Sequence, residues 1–361
     1  MRMALSTRFR RVRVRGSRGA VLAVTALCAV AMTAGCAEQV DDASTIVRTT
    51  TNIAGAGVVG VQRDTTTACP LPSAADPASG PTRSVTNANG VTQIPADPQR
   101  IVALTPAAID AACALGLWER VVGAVTLDGE RPQPVYLGYG ILKSPTVGPI
   151  GNPDPAKIAA LKPDVILGDV ASNSAELSAI APTVLVGAND SWQSDFVAYA
   201  AGLGRRSVAE AALGAYRAEA KEAGVAINAA QSQASVLRFT PDAITIQGTN
   251  SFAGQVLSDV GVQRPTPQRG PSSPVAIDEL SKRGEGDIIY VMFGRDGSSA
   301  SDASEQYGRK VLKSTEFGEL GAASDKRVFA VDDYVWHGWG LTAARALVTD
   351  LKASLNGYVT D

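Results

Sequence analysis

Between Val236 and Pro265 the chain reads VLRFTPDAITIQGTNSFAGQVLSDVGVQRP. A short apolar strand, Val236–Phe239, runs into Thr-Pro-Asp, whose residues preset a turn. A second strand (AITIQG) follows, and the small-residue loop TNSFAG carries the chain directly into an amphipathic helix. A strand delivered to a helix through Gly, Ser and Asn leaves its loop at the carboxyl edge of a sheet. Open α/β sheets bind ligands in the crevice at that edge. This order of elements argues for an α/β fold and makes Ser251 and Phe252 candidate ligand contacts. Arg238 interrupts an otherwise apolar strand, so its charge needs an anionic partner, a cleft, or solvent at a sheet edge.

The same alternation recurs along the chain. Thr82–Thr86 and Val91–Ile94 flank Asn87-Ala88-Asn89-Gly90, a hairpin signal ending in Asn-Gly. Ile101–Leu104 reads as a buried strand that meets Thr105-Pro106, and a helix is expected over Ala107–Leu117. Val121–Val125 is the next strand. It is followed by a polar, aromatic loop, 126–140, holding Arg131 and Tyr139. Ile158–Leu161 is helical, Lys162-Pro163-Asp164 stops it, and Val165–Gly168 and Val184–Val186 are buried strands. From Trp192 to Gln233 the pattern turns helical, with a break at Leu203-Gly204 and one long helix over Ser207–Gln231. Asp287–Phe293 and Val328–Val331 are further strands. The first ends at Gly294-Arg295, and the second leads to a loop containing Trp336, His337 and Trp339, whose flat faces suit a bulky ligand.

Several of these phrases resemble the iron-siderophore class of ABC-transporter substrate-binding proteins. They are the opening "P-x-R-I-V-x-L-T-P…ALGL…R-V-V-G", the helix-to-strand run ending "LKPDVIL", the "RF…SFAG…VL-x-D-x-G" segment, and the closing "RV-x-x-V-D…W". The resemblance implies two Rossmann-like α/β lobes joined by one long helix, with the ligand cleft between the lobes. It places the N-terminal lobe at 82–204, the interlobe helix at 205–233 and the C-terminal lobe at 234–361. A ferric siderophore is then the expected ligand and an ABC permease the expected partner, with no resident cofactor and a monomeric chain. Thr105, Arg131 and Tyr139 would line one wall of the cleft; Arg238, Ser251, Phe252, Arg295, Trp336 and Trp339 would line the other. Asp110 stands where the family places a permease-docking Glu. Ser258 stands at the second such position, with Asp259 beside it as the substitute. That departure leaves open an envelope role without a transport partner. Haem, held by His337 or a Tyr, is the other open ligand.

Seven Arg and no acidic residue precede Gly35, and Ala20–Ala34 is apolar. A basic n-region, a short h-region and small residues before Cys36 make an export signal over 1–35. Thr33-Ala34-Gly35-Cys36 resembles a lipobox, which implies lipidation at Cys36 and a membrane anchor through that lipid. Residues 36–81 are rich in Thr, Ala, Ser, Asp, Gly and Pro and are expected to be a flexible tether. With Cys28 in the signal and Cys36 lipidated, Cys69 and Cys113 remain. They either pair, as an oxidising compartment allows, or Cys113 is a buried small hydrophobe.

Net charge is −2 overall, and removing the basic signal leaves a more acidic body, which argues against nucleic acid as a partner. The chain holds one histidine, His337, outside any G-x-S-x-G context. No P-loop or H-E-x-x-H motif is present, so an enzyme is not expected. One histidine cannot build a His-rich site for a bare ion, so no metal site is expected on the chain itself and iron would arrive already chelated.

Overall fold

A computed structural model describes residues 48–127, 132–187, 191–295 and 298–360. The expected export signal 1–35, Cys36 and Arg131 lie outside the described residues.

The N-terminal lobe is built on five parallel strands in the spatial order Thr183–Val186, Val165–Asp169, Ile101–Ala103, Val121–Thr126, Thr146–Pro149. The three strands Ile101–Ala103, Val165–Asp169 and Thr183–Val186 are buried along nearly their whole length, as their unbroken apolar runs require. The hairpin Thr82–Asn87/Gly90–Pro95 folds onto this sheet, and Ala88 N–H donates to the Leu185 carbonyl. Gly90 takes the positive φ (99°) that its turn demands.

In the C-terminal lobe a seven-stranded mixed sheet runs Ser273–Val275, Ile244–Ile246, Ala234–Phe239, Ile288–Phe293, Val328–Val331, Ala56–Val58, Asn52–Ile53. Its central pair, Ala234–Phe239 beside Ile288–Phe293, is parallel and buried at every residue. The helix Arg206–Ala226 joins the lobes, preceded by Trp192–Gly202. It buries Leu213, Tyr216, Ala220 and Gly224 along one stripe. A side chain on Gly224 would collide with the Val260 carbonyl, so glycine lets the neighbouring helix Phe252–Val260 lie against it. One hydrophobic core runs without a break from Ile109 and Leu167 through Tyr216 to Phe252 and Leu347.

The expected tether 36–81 needs correction over its described part. Ala56–Val58 pairs in parallel with Val328–Val331, and Asn52–Ile53 returns from it across the two-residue turn Ala54-Gly55, both with positive φ. Arg48–Thr49 pairs with Tyr358–Val359 near the C-terminus. Further along, Arg63 forms an ion pair with the buried Asp350, Cys69 is disulfide-bonded to Cys113, and Ser73 Oγ donates to the Leu115 carbonyl. This arm therefore grips the C-terminal lobe at its start and the N-terminal lobe at its end. Its strands are two or three residues long and rich in small residues, so they carry no readable periodicity. Pairing with strands almost 300 residues away fixes them instead.

Candidate functional site

The cleft between the lobes consists of two cavities that share one wall. The first, of about 460 Å³, is bordered by Thr105, Tyr136, Asp169, Asp195, Tyr199, Asp333, Tyr334 and aliphatic neighbours. The second, of about 470 Å³, is bordered by Arg238, Thr245, Gln247, Asn250, Ser251 and Phe252. His337, Gly338 and Trp339 face both.

Local structure aims each group. The strand Ile101–Ala103 ends just before Thr105, which caps the helix Pro106–Ala114 by accepting from Ala108 N–H. The Tyr199 hydroxyl donates to the Gly168 carbonyl (3.2 Å) and lies 3.0 Å from Thr105 Oγ1. Burial pushes this phenol well above its usual pKa, so it stays protonated as a donor. Asp169 closes the next strand, and its Oδ1 accepts from Ala171 N–H and Ser172 Oγ. On the other wall, Ser251 caps Phe252–Val260 by accepting from Gly254 N–H (3.0 Å). Arg238 is bound by Asp333 through two hydrogen bonds, Nε to Oδ1 at 2.7 Å and Nη2 to Oδ2 at 3.0 Å, so its charge is met inside the cleft wall. Trp339 donates its indole N–H to Asp195 Oδ2 at 2.6 Å and lies against Phe252, which in turn meets Trp192 edge-on.

Thr105, Arg238, Ser251, Phe252 and Trp339 are thus brought together at the cleft. Arg295 is exposed and borders neither cavity: its backbone N–H donates to Asp333 Oδ2 and its guanidinium lies 5.4 Å from the Tyr334 ring centroid. Tyr139 is 80% exposed and borders neither cavity; Tyr136 from the same segment borders the first instead. Trp336 is also not a cleft residue. It is 1% exposed, packs 4.4 Å from the Tyr290 ring, and donates its N–H to Asp350 Oδ2, which makes it core.

Asp110 is not available to a permease. It is fully buried, and its carboxylate accepts from Thr342 N–H (2.9 Å), Ala343 N–H (3.0 Å) and the Tyr136 hydroxyl (3.1 Å). It caps the C-terminal lobe's helix Leu341–Ser354 from the opposite lobe, where the helix's own cap position is Gly340. A side chain on Gly340 would overlap the Asp110 carboxyl. Burial outweighs these hydrogen bonds and lifts the Asp110 pKa to about 6. Asp259 is half-buried, accepts from Gln193 Nε2 and the Tyr216 hydroxyl, and has its pKa raised by burial.

Sequence reasoning missed Asp169, Asp195, Tyr199, Tyr334 and Gln247 as cleft groups. Asp195 and Tyr199 left one signal: four apart on a helix, they share a face. Asp169 and Gln247 stand at strand ends and Tyr334 in the one-turn helix Asp333–Trp336, where the sequence gives no direction.

A protein of Bacillus subtilis named probable siderophore-binding lipoprotein YfiY is 28% identical to this chain over 290 residues, covering 76% of this chain and 88% of its own length. The achromobactin-binding periplasmic protein of Dickeya dadantii is 25% identical over 273 residues, 70% of this chain and 85% of its own. Among solved structures, Staphylococcus aureus SirA complexed with staphyloferrin B superposes with a TM-score of 0.66 at 25% identity, covering 76% of this chain and 99% of that one. The periplasmic binding protein family model matches residues 101–335, from the first strand of the N-terminal sheet to the aromatic loop at the cleft, and the chain belongs to that family.

Proposed function

We propose that this protein captures a ferric siderophore outside the cytoplasmic membrane and passes it to an ABC importer, anchored by a lipid on Cys36. The observation that carries this reading is the double cavity around His337–Trp339. Its volume suits a chelate-sized ligand, and Trp339, Tyr199 and Tyr334 border it with aromatic surface. The kinship with proteins named for siderophores supports the ligand class. The importer is supported by a second Bacillus subtilis relative, named putative ABC transporter substrate-binding lipoprotein YhfQ and 27% identical over 274 residues. Permease contact is not assigned to Asp110, which is buried, and the half-buried Asp259 is the acid left for that role.

Haem is the second reading, favoured by His337, an exposed imidazole on the wall shared by both cavities. Tryptophan fluorescence of residues 37–361, titrated with several ferric siderophores, their iron-free forms and haem, separates the two. Saturable quenching by a ferric chelate that is lost in Trp339→Ala supports the siderophore reading. Saturation by haem alone, with loss in His337→Ala, replaces it with the second. No response from a protein with a folded circular dichroism spectrum refutes both.

A further inference from the structure

The charges around the cleft say which ferric chelates it accepts. The first cavity is bordered by three carboxylates, Asp169, Asp195 and Asp333, beside the rings of Tyr199, Tyr334 and Trp339. Among the described residues that border it, none is Lys or Arg. The second cavity has one such residue, Arg238, and Asp333 already holds its guanidinium by two hydrogen bonds. Arg295 borders neither cavity and lies over Tyr334.

An anionic chelate entering here would bring its charge beside the carboxylates of Asp169 and Asp195, with Asp333 offset by Arg238, in a low-dielectric cleft where repulsion is weakly screened. An ammonium group in the same place would meet aromatic faces and carboxylate oxygens, both attractive to it. Ferric ion bound by three hydroxamates carries no net charge, and an added amine makes the complex cationic. Catecholates and hydroxycarboxylates leave the complex anionic.

We propose that the cleft selects ferric chelates that are uncharged or cationic, of the trishydroxamate type, with any amine-bearing arm seated in the cavity of Asp169, Asp195 and Trp339. This rests on the ferric-siderophore reading and narrows it.

The test is isothermal titration calorimetry of residues 37–361 with one linear ferric trishydroxamate in three forms: free terminal amine, N-acetylated and N-succinylated. Ferric citrate is the fourth ligand. Affinity is expected to fall about tenfold at each step from amine to acetyl to succinyl, with ferric citrate weaker than the acetylated form. Asp195→Asn and Asp169→Asn are expected to shrink the amine-to-acetyl ratio to about threefold or less. Tighter binding of the succinylated form or of ferric citrate overturns the charge rule and leaves the siderophore reading standing. An unchanged ratio in both variants also overturns it. Absence of binding by every ferric chelate, with the protein folded, overturns the siderophore reading and this inference together.

Discussion

Asp110 and the Trp336–Trp339 pair show how differently two residues of one kind can be used. Burial raises the Asp110 pKa from 3.8 to about 6, so between those values the folded protein binds a proton that the unfolded chain has released. Its contribution is therefore fully present below about pH 4 and is lost as pH rises to about 6. The swing is about 3 kcal/mol at about 1.4 kcal/mol per pKa unit. Urea denaturation from pH 4 to 7 should show this decline in the natural protein and a visibly flatter profile in Asp110→Asn. For the tryptophans, Trp336→Ala is expected to lower stability by about 3–5 kcal/mol. Trp339→Ala should leave most stability intact and weaken chelate binding about tenfold or more. Denaturation and titration of both variants check this, and a reversed pattern contradicts the placement. Sequence could not separate the two rings, because what distinguishes them is distant: Asp350 receives one indole N–H and Asp195 the other. Arg238 was legible as a cation needing an anion, but that the anion is Asp333 of the same wall was not.

Elements were easier to read than residues. The hairpin and the buried strands follow from turn chemistry and unbroken apolar runs, and each is found within a few residues of its expected bounds; the long helix, expected over 207–231, runs Arg206–Ala226, and its place between the lobes came from the resemblance. The arm 48–80 was the exception, since its order comes from distant partners and not from local pattern. Its disulfide encloses a separation of 44 residues, and loss of the cross-link should cost about 2–4 kcal/mol. Guanidinium denaturation with and without reductant, and of Cys69→Ala with Cys113→Ala, measures this. Protein begun at Pro81 loses the disulfide, the Arg63 partner of buried Asp350 and the strand beside Val328–Val331. It is expected to melt about 10 °C or more below protein begun at Ala37 and to associate through the uncovered strand edge. Equal melting temperatures and a monomeric elution would refute a structural role for the arm.

For the molecule as a whole, a stiff helix, the arm and one continuous core all cross between the lobes. Large hinge closure would tear that core, so ligand is expected to shift the radius of gyration by no more than about 1 Å. Small-angle scattering with and without chelate measures it, and a contraction of several ångströms would show that the core opens. The arm also sets the reach of the molecule. Had 36–81 been free, a lipid on Cys36 would have let the body roam roughly 150 Å from its anchor. With the chain already paired at Arg48, the lipid proposed on Cys36 would be tied to the body by residues 36–48 alone, a span that covalent geometry limits to roughly 40 Å. So anchored, the cleft would stay within about one protein diameter of the membrane surface, and the handover of ligand would be a search by tilting and turning in place rather than by wandering.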